Sequence, residues 1–509
     1  MAKIEEFKET IQAGYKFNGM SITLGAAVIE GECISDAKVS IPLKTMNRHG
    51  LIAGATGTGK TKSLQMIAEQ LSQNSVPVLL MDIKGDLSGI GAFGELNSKI
   101  ADRHEKIGIL FSPDKSPVEF LSLSNEKGVR LRATVSEFGP VLFSKILGLN
   151  DTQAGVMAVV FKYCDDQAMP LLDLKDIKKV LQFLSNEGKE EIASTYGSIA
   201  SATIGIILRK IVELESQGAE LFFGERSFEV DDLCQIDENG RGVISILRLV
   251  DIQDRPKLFS TFMLQLLAEV YATFPEIGDP DQPRLVLFID EAHLIFQEAS
   301  NALLQQMETI IKLIRSKGVG VYFITQNPAD IPESILGQLG MKIQHSLRAF
   351  TAKDRKAINL AADNFPISPY YDVPQLLIEL GIGEALVTVL SEKGVPTPLV
   401  HCVMRAPQSR MDVLTDSEID HLVQISKLVK KYNAVEDRES AYEILTAKLE
   451  AIKENSVAPE ESQPKSTRQE KSTFEKVVES SAFKQLGRSL ASGLARGILG
   501  VLGMGGKRR

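Results

Sequence analysis

The sequence predicts an α/β fold: a mostly parallel sheet with helices on both faces, a helical insertion, a small N-terminal β element and a partly disordered C-terminal tail. Three observations carry this. Short apolar runs recur at 76–83, 107–111, 242–249, 285–290, 319–325, 343–350 and 384–390, with helix-like stretches between them. The block 121–240 breaks that rhythm and reads as successive helices at 144–149, 155–165, 174–186 and 195–215. Finally, 454–473 is rich in Ser, Pro, Glu, Lys and Gln and has few apolar residues, too few to stabilise a folded segment.

These shifts divide the chain into a β element at 1–45, the first part of an α/β core at 46–120, the helical insertion at 121–240 and the second part of the core at 241–405. A helical extension at 406–453, a linker at 454–473 and a basic tail at 474–509 follow. The tail sets Phe483, Leu486, Leu490, Leu494, Ile498 and Val501 at near-helical spacing and carries seven Lys/Arg against two Glu. Such a segment either lies on a membrane surface, docks on a partner, or frays because of its many glycines. No 18-residue uncharged apolar run occurs, and the N-terminus lacks a charged-then-apolar leader pattern, so a cytoplasmic location is expected. The four cysteines have neither disulfide nor metal-ligand spacing. With a net charge of −9, a general affinity for nucleic acid is excluded, and any DNA contact must come from local basic residues.

The first chemical element is Gly54-Ala55-Thr56-Gly57-Thr58-Gly59-Lys60-Thr61, a full phosphate-binding loop between a strand end at 51–53 and an amphipathic helix from Ser63. Its glycines let backbone N–H groups wrap phosphates at a helix N-terminus, where unpaired donors and the dipole favour negative charge. Lys60 is expected to reach the β- and γ-phosphates, and the Thr61 hydroxyl to bind Mg²⁺. A guanine-specific Asn/Thr-Lys-x-Asp sequence is missing, because in Thr351-Ala-Lys-Asp354 the Lys is misplaced, so the expected nucleotide is ATP.

The second element is the apolar strand ending in Asp290-Glu291-Ala292-His293. Asp290 is placed to hold Mg²⁺ and Glu291 to polarise the attacking water, while a lone histidine such as His293 is more often a packing residue. The strand at 319–325 ends in Gln326, which either senses the γ-phosphate or simply enters the Asn-Pro-Ala-Asp turn. Asp82 follows the strand at 76–83 and either faces phosphate and metal or organises a surface loop. On the helix at 301–317, Leu303, Leu304, Met307, Ile310, Ile311 and Ile314 share one face; Arg315 and Lys317 complement the helix dipole and Gly318 ends the helix. Lys342, Arg348, Lys353 and Arg355 either line a DNA channel or form a solvated face.

Taken in order, Asn47-Arg48-His49-Gly50, the phosphate loop, Asp82-Ile83-Lys84-Gly85-Asp86, Phe288-Ile289-Asp290-Glu291-Ala292-His293, Arg315-Ser316-Lys317-Gly318-Val319-Gly320 and Thr325-Gln326-Asn327-Pro328-Ala329-Asp330-Ile331-Pro332 resemble the HerA/FtsK superfamily. More closely, they resemble the bacterial HerA-like helicase C-terminal-domain proteins, over roughly residues 1–450. The resemblance implies a RecA-like core, a hexameric ATPase, and DNA translocation or unwinding with a nuclease partner. It also implies an arginine finger acting in trans at Arg315, a second nucleotide-contacting residue at Arg48 and a polar sensor at Gln326. The short N-terminal part and the helical insertion depart from the family pattern. A motor acting on a polypeptide or a secretion or conjugation complex is the alternative, and a nucleotide-binding scaffold a third.

Overall fold

The computed structural model describes residues 2–296, 301–434, 436 and 438–457. The basic tail and almost all of the linker therefore lie outside the described residues. Twelve strands form one sheet: β1 (Ser21–Ile29), β2 (Glu32–Pro42), β3 (Gly50–Ala53), β4 (Val78–Asp82), β5 (Val118–Ser122), β6 (Val129–Arg130), β7 (Ile244–Arg248), β8 (Leu285–Ile289), β9 (Val319–Thr325), β10 (Met341–Gln344), β11 (Glu384–Thr388) and β12 (Val400–Met404). Their order is β2-β1-β12-β11-β10-β3-β9-β8-β4-β7-β5-β6. From β10 to β6 every pair is parallel, and from β10 to β2 every pair is antiparallel.

The parallel strands nearest the centre are buried throughout. β4, β8 and β9 have no exposed position, as expected where helices cover both faces. Helix Lys60–Gln73 buries Leu64, Ile67, Ala68 and Leu71 in the same core as Ile52, Leu80, Phe288 and Ile324. Each of the buried Leu, Ile and Phe side chains contributes about 1.5–3 kcal/mol by leaving water. That helix and β3 are thereby tied to the sheet on either side of the phosphate loop.

Three segments differ from the sequence expectation. Residues 2–14 form a helix whose Phe7 and Ile11, one turn apart, are fully buried, and β1 and β2 extend the main sheet rather than forming a separate element. The run at 107–111 is not a strand. Helix Ser98–Ile107 ends there because Gly108 takes the left-handed conformation (φ 60°) and the Ile109 N–H turns back to the His104 carbonyl at 3.1 Å. Within 121–240, residues 121–122 and 129–130 belong to strands, and the helices begin only at Val135.

The chain divides into two compact units, Met1–Ala133 with Glu213–Glu436, and Thr134–Val212 with the described part of Asp437–Arg509. The first contains the sheet. In the second, helices Val135–Ile146, Asp151–Asp166, Leu174–Ser185 and Lys189–Tyr196 are joined by helix Ala441–Val457 from the chain's far end. Buried Asp176 anchors it, accepting the backbone N–H groups of Leu172, Asp173 and Tyr442 at 2.8–3.0 Å. No described helix is long and apolar enough to cross a membrane.

Candidate functional site

The strand order decides where the candidate residues go. β3, β9, β8 and β4 are adjacent and parallel, so the phosphate loop, Gln326, Asp290-Glu291 and Asp82 all leave the sheet at one edge. Within the loop, Gly54, Gly57 and Gly59 have φ of 152°, 79° and 112°, values that a side chain disfavours. At Gly54 a Cβ would also stand 2.6 Å from the His345 Cβ, whereas Gly57 faces open space. The loop is braced from below. The Ala55 N–H donates to the Ser346 carbonyl at 2.8 Å and the Gly383 N–H to the Thr58 carbonyl at 3.0 Å.

Lys60 is buried and folds over the loop, its Nζ donating to the carbonyls of Gly54 (2.6 Å) and Ala55 (3.0 Å). Burial, followed by the nearby Lys84 cation, lowers its pKa, while Glu291, Asp290 and Asp86 pull it back. A phosphate anion would strengthen that pull.

The carboxylates are crowded. Burial pushes the Asp290 carboxyl up to about 6, with the charge of Lys84 opposing and that of Glu291 adding. One Asp290 oxygen accepts the Glu291 N–H at 2.9 Å; the other, Oδ2, is buried with no hydrogen-bond partner among the described residues. An unmet buried acceptor costs about 1–3 kcal/mol, and a cation or its bound water would satisfy this one. Glu291 is buried, with its backbone in the left-handed region at φ 45°. Its carboxylate pairs with Lys84 and lies 3.2 Å from the His293 ring, a charged pair only when that ring is protonated.

Asp82 shows what its neighbours do not. Its two oxygens accept the N–H groups of Gly85 (2.8 Å), Asp86 (3.1 Å) and Leu87 (3.3 Å), and burial, reinforced by Asp86, raises its carboxyl to about 7. It organises the loop that carries Lys84. Gln326 sits over the phosphate loop, its Oε1 accepting from the Thr56 hydroxyl at 3.3 Å. Thr61 occupies the first turn of the loop's helix.

Arg48 and Arg315 are elsewhere. Arg48 immediately precedes the segment entering β3, and Arg315 lies in the 3₁₀ turn entering β9, so both stand at the sheet edge opposite the phosphate loop. They meet at Asp279, which accepts from Arg315 Nη2 at 3.1 Å and lies 4.0 Å from Arg48 Nη2.

His345 and Lys84 had no assigned role in the sequence reading. His345 lies fully buried beneath the loop, its ring 3.0 Å from the Ser63 hydroxyl and 2.8 Å from the Glu384 carbonyl, and burial lowers its pKa to about 4, keeping it neutral. Lys84 was visible only as part of a motif. Arg348 reaches the Thr56 carbonyl at 3.5 Å, while Lys353 and Arg355 are exposed on the following helix. Lys342 is directed to the Asn364 carbonyl at 2.9 Å and is therefore committed within the fold.

A family model described as Helicase HerA-like C-terminal matches residues 29–509. The DNA double-strand break repair helicase HerA of Sulfurisphaera tokodaii is 24% identical over 364 residues, covering 69% of this chain and 64% of that protein. The corresponding helicase of Saccharolobus solfataricus is 23% identical over 366 residues with the same coverage. This chain thus spans just under two thirds of the length of these curated relatives. Among solved structures, the bacterial conjugative coupling protein TrwBdeltaN70 superposes with a TM-score of 0.50 at 13% identity, covering 80% of this chain and 94% of that one. The plasmid coupling protein TrwB in complex with ADP and Mg²⁺ gives the same score at 14% identity, covering 78% and 99%. These two likenesses concern the α/β fold with its mostly parallel sheet.

Proposed function

The chain belongs to the HerA-like helicase C-terminal family, and we propose that it is a Mg²⁺-dependent ATP hydrolase that assembles as a ring, a hexamer by family resemblance, and moves along DNA. One observation carries the reading: adjacent strands deliver a complete phosphate loop, Gln326, Asp290 and Glu291 to one sheet edge, while Arg48 and Arg315 stand at the other. β3 alone, four residues long, separates the two edges by about 13 Å. Neither arginine is within reach of its own subunit's phosphate loop, so a role for either at a nucleotide requires a neighbouring subunit.

The residues then divide the work. The Gly54–Gly59 backbone and Lys60 bind the phosphates and hold them in line with the reacting water. Glu291 accepts that water's proton as its oxygen bonds to the γ-phosphorus and the bond to the ADP oxygen breaks. Gln326 orients the water or the γ-phosphate by hydrogen bonding, and Arg315 and Arg48 of an adjacent subunit offset the charge on the transferring group. Thr61 and Asp290 would hold Mg²⁺, which would supply charge neutralisation at the phosphate oxygens. The reading includes action in the cytoplasm, with a nuclease or another protein as partner.

For DNA the reading rests on Arg348, Lys353 and Arg355, which follow β10 at the phosphate-loop edge. Binding to duplex DNA should be independent of sequence and fall steeply with salt, because phosphate contacts release counterions. Replacing Lys353 and Arg355 together by Ala should weaken it and lower the slope of log affinity against log salt by about 2. Fluorescence anisotropy over a salt series measures both. Absence of binding at low salt by an intact ring would direct the motor reading to a polypeptide or a secretion or conjugation complex instead.

A further inference from the structure

Two guanidinium groups meet at one exposed carboxylate. Arg315, Arg48 and Lys44 all lower the pKa of Asp279, the Arg315 hydrogen bond most. The ledge bearing Asp279 is fixed to the Arg315 turn by the backbone: the Ile277 N–H donates to the Ser316 carbonyl at 3.0 Å and the Arg284 N–H to the Gly318 carbonyl at 2.8 Å. At Gly318 a Cβ would stand 2.4 Å from the Ile277 side chain, so that glycine admits the ledge.

Arg48 is held from the other side. Asn47 Nδ2 donates to the Arg315 carbonyl at 3.5 Å. The buried His49 ring accepts the Val321 N–H at Nδ1 (3.1 Å), which leaves Nε2 to donate to the Ile311 carbonyl at 2.8 Å. The Arg48 guanidinium lies over Gly394, where a Cβ would come within 2.8 Å of Nη1. Asn47 and His49, on either side of Arg48, are therefore bound to the stretch 311–321 that carries Arg315.

Two guanidinium groups this close repel each other, and long exposed side chains otherwise spread over many rotamers. A carboxylate between them cancels part of the repulsion and selects the conformers that point both the same way. The geometry points to Asp279 as a positioning residue that presents Arg48 and Arg315 as a pair to the phosphates bound by a neighbouring subunit. This rests on the reading that the two arginines act across a subunit boundary. An exposed ion pair contributes about 0–1 kcal/mol to stability, so the consequence falls on orientation rather than on folding.

The test is Asp279→Asn in the full chain, in oligomers of verified size. Turnover at saturating ATP should fall about tenfold, with the KM for ATP and the melting temperature unchanged, since misplacement of a charge-stabilising group lowers rate without weakening ground-state binding. Asp279→Glu should restore most of the rate. Mixed with an excess of Lys60→Ala subunits, the Asp279→Asn chain should regain activity, because its intact Lys60 sites then face intact arginine pairs. Mixed with Arg315→Ala subunits it should not. Normal or faster turnover by Asp279→Asn would overturn the assignment, faster turnover identifying Asp279 as a latch. If Arg48→Ala and Arg315→Ala also turn over normally, the subunit-crossing reading has failed, and the role of Asp279 falls with it.

Discussion

Lys60→Ala loses tight ATP binding, whereas Glu291→Gln binds ATP and does not hydrolyse it. The difference follows from where each side chain acts. Lys60 lies within the phosphate loop and, in the proposed mechanism, meets the bound phosphates in ground state and transition state alike, so its removal should weaken binding by about 1.5–3 kcal/mol, roughly 10- to 100-fold. Because Lys60 also holds the carbonyls of Gly54 and Ala55, the comparison needs a melting curve to show that the loop's host remains folded. In the proposed mechanism Glu291 acts on the water only as the new bond forms. A general base of this kind contributes about 10² to 10⁴ in rate, and its amide isostere keeps the shape of the site while losing the proton acceptor. Equilibrium binding of a fluorescent ATP analogue and steady-state phosphate release separate the two. Near-normal turnover by Glu291→Gln would remove that residue from the mechanism.

Arg315→Ala keeps nucleotide binding and loses turnover by about 10³-fold or more. In the free chain Arg315 is paired with Asp279 at the edge away from the phosphate loop, so its own site is untouched by the change. Mixing an excess of Arg315→Ala with Lys60→Ala subunits should restore part of the activity, since some interfaces then join an intact Lys60 site to an intact Arg315. If Arg315 served only the helix dipole, the loss would be about 0.3–1 kcal/mol of stability with little kinetic effect. Normal hydrolysis by the variant in a verified oligomer would exclude the trans role.

Much of the fold was legible because buried parallel strands are written as unbroken apolar runs. β4, β8 and β9 are largely such runs, and a polar residue of the candidate site, Asp82, Asp290 or Gln326, ends each strand or follows it directly. The antiparallel half was harder to read. β12 carries His401, and at the far end of the parallel half β5 carries Glu119, whose burial raises its carboxyl to about 7; both interrupt the apolar pattern. The phosphate loop is local in sequence and needed no tertiary information. The Lys84–Glu291 pair joins residues from different strands, and the support under the loop from His345, Ser346 and Gly383 depends on which strands become neighbours. Asp279 gave no signal at all, being one exposed acid among many in a loop. Asp82 was visible as a strand-end acid, but only the three N–H groups it accepts show that it organises its own loop.

The most direct test of the central claim is the steady-state rate of ATP hydrolysis by a size-verified ring, measured with and without duplex DNA at low salt, with Glu291→Gln as the blank. A ring that couples hydrolysis to movement on DNA should turn over faster when duplex is present, and the stimulation should fade as salt releases the DNA. An intact ring whose turnover is the same with and without duplex, under conditions where the duplex is bound, would contradict the account.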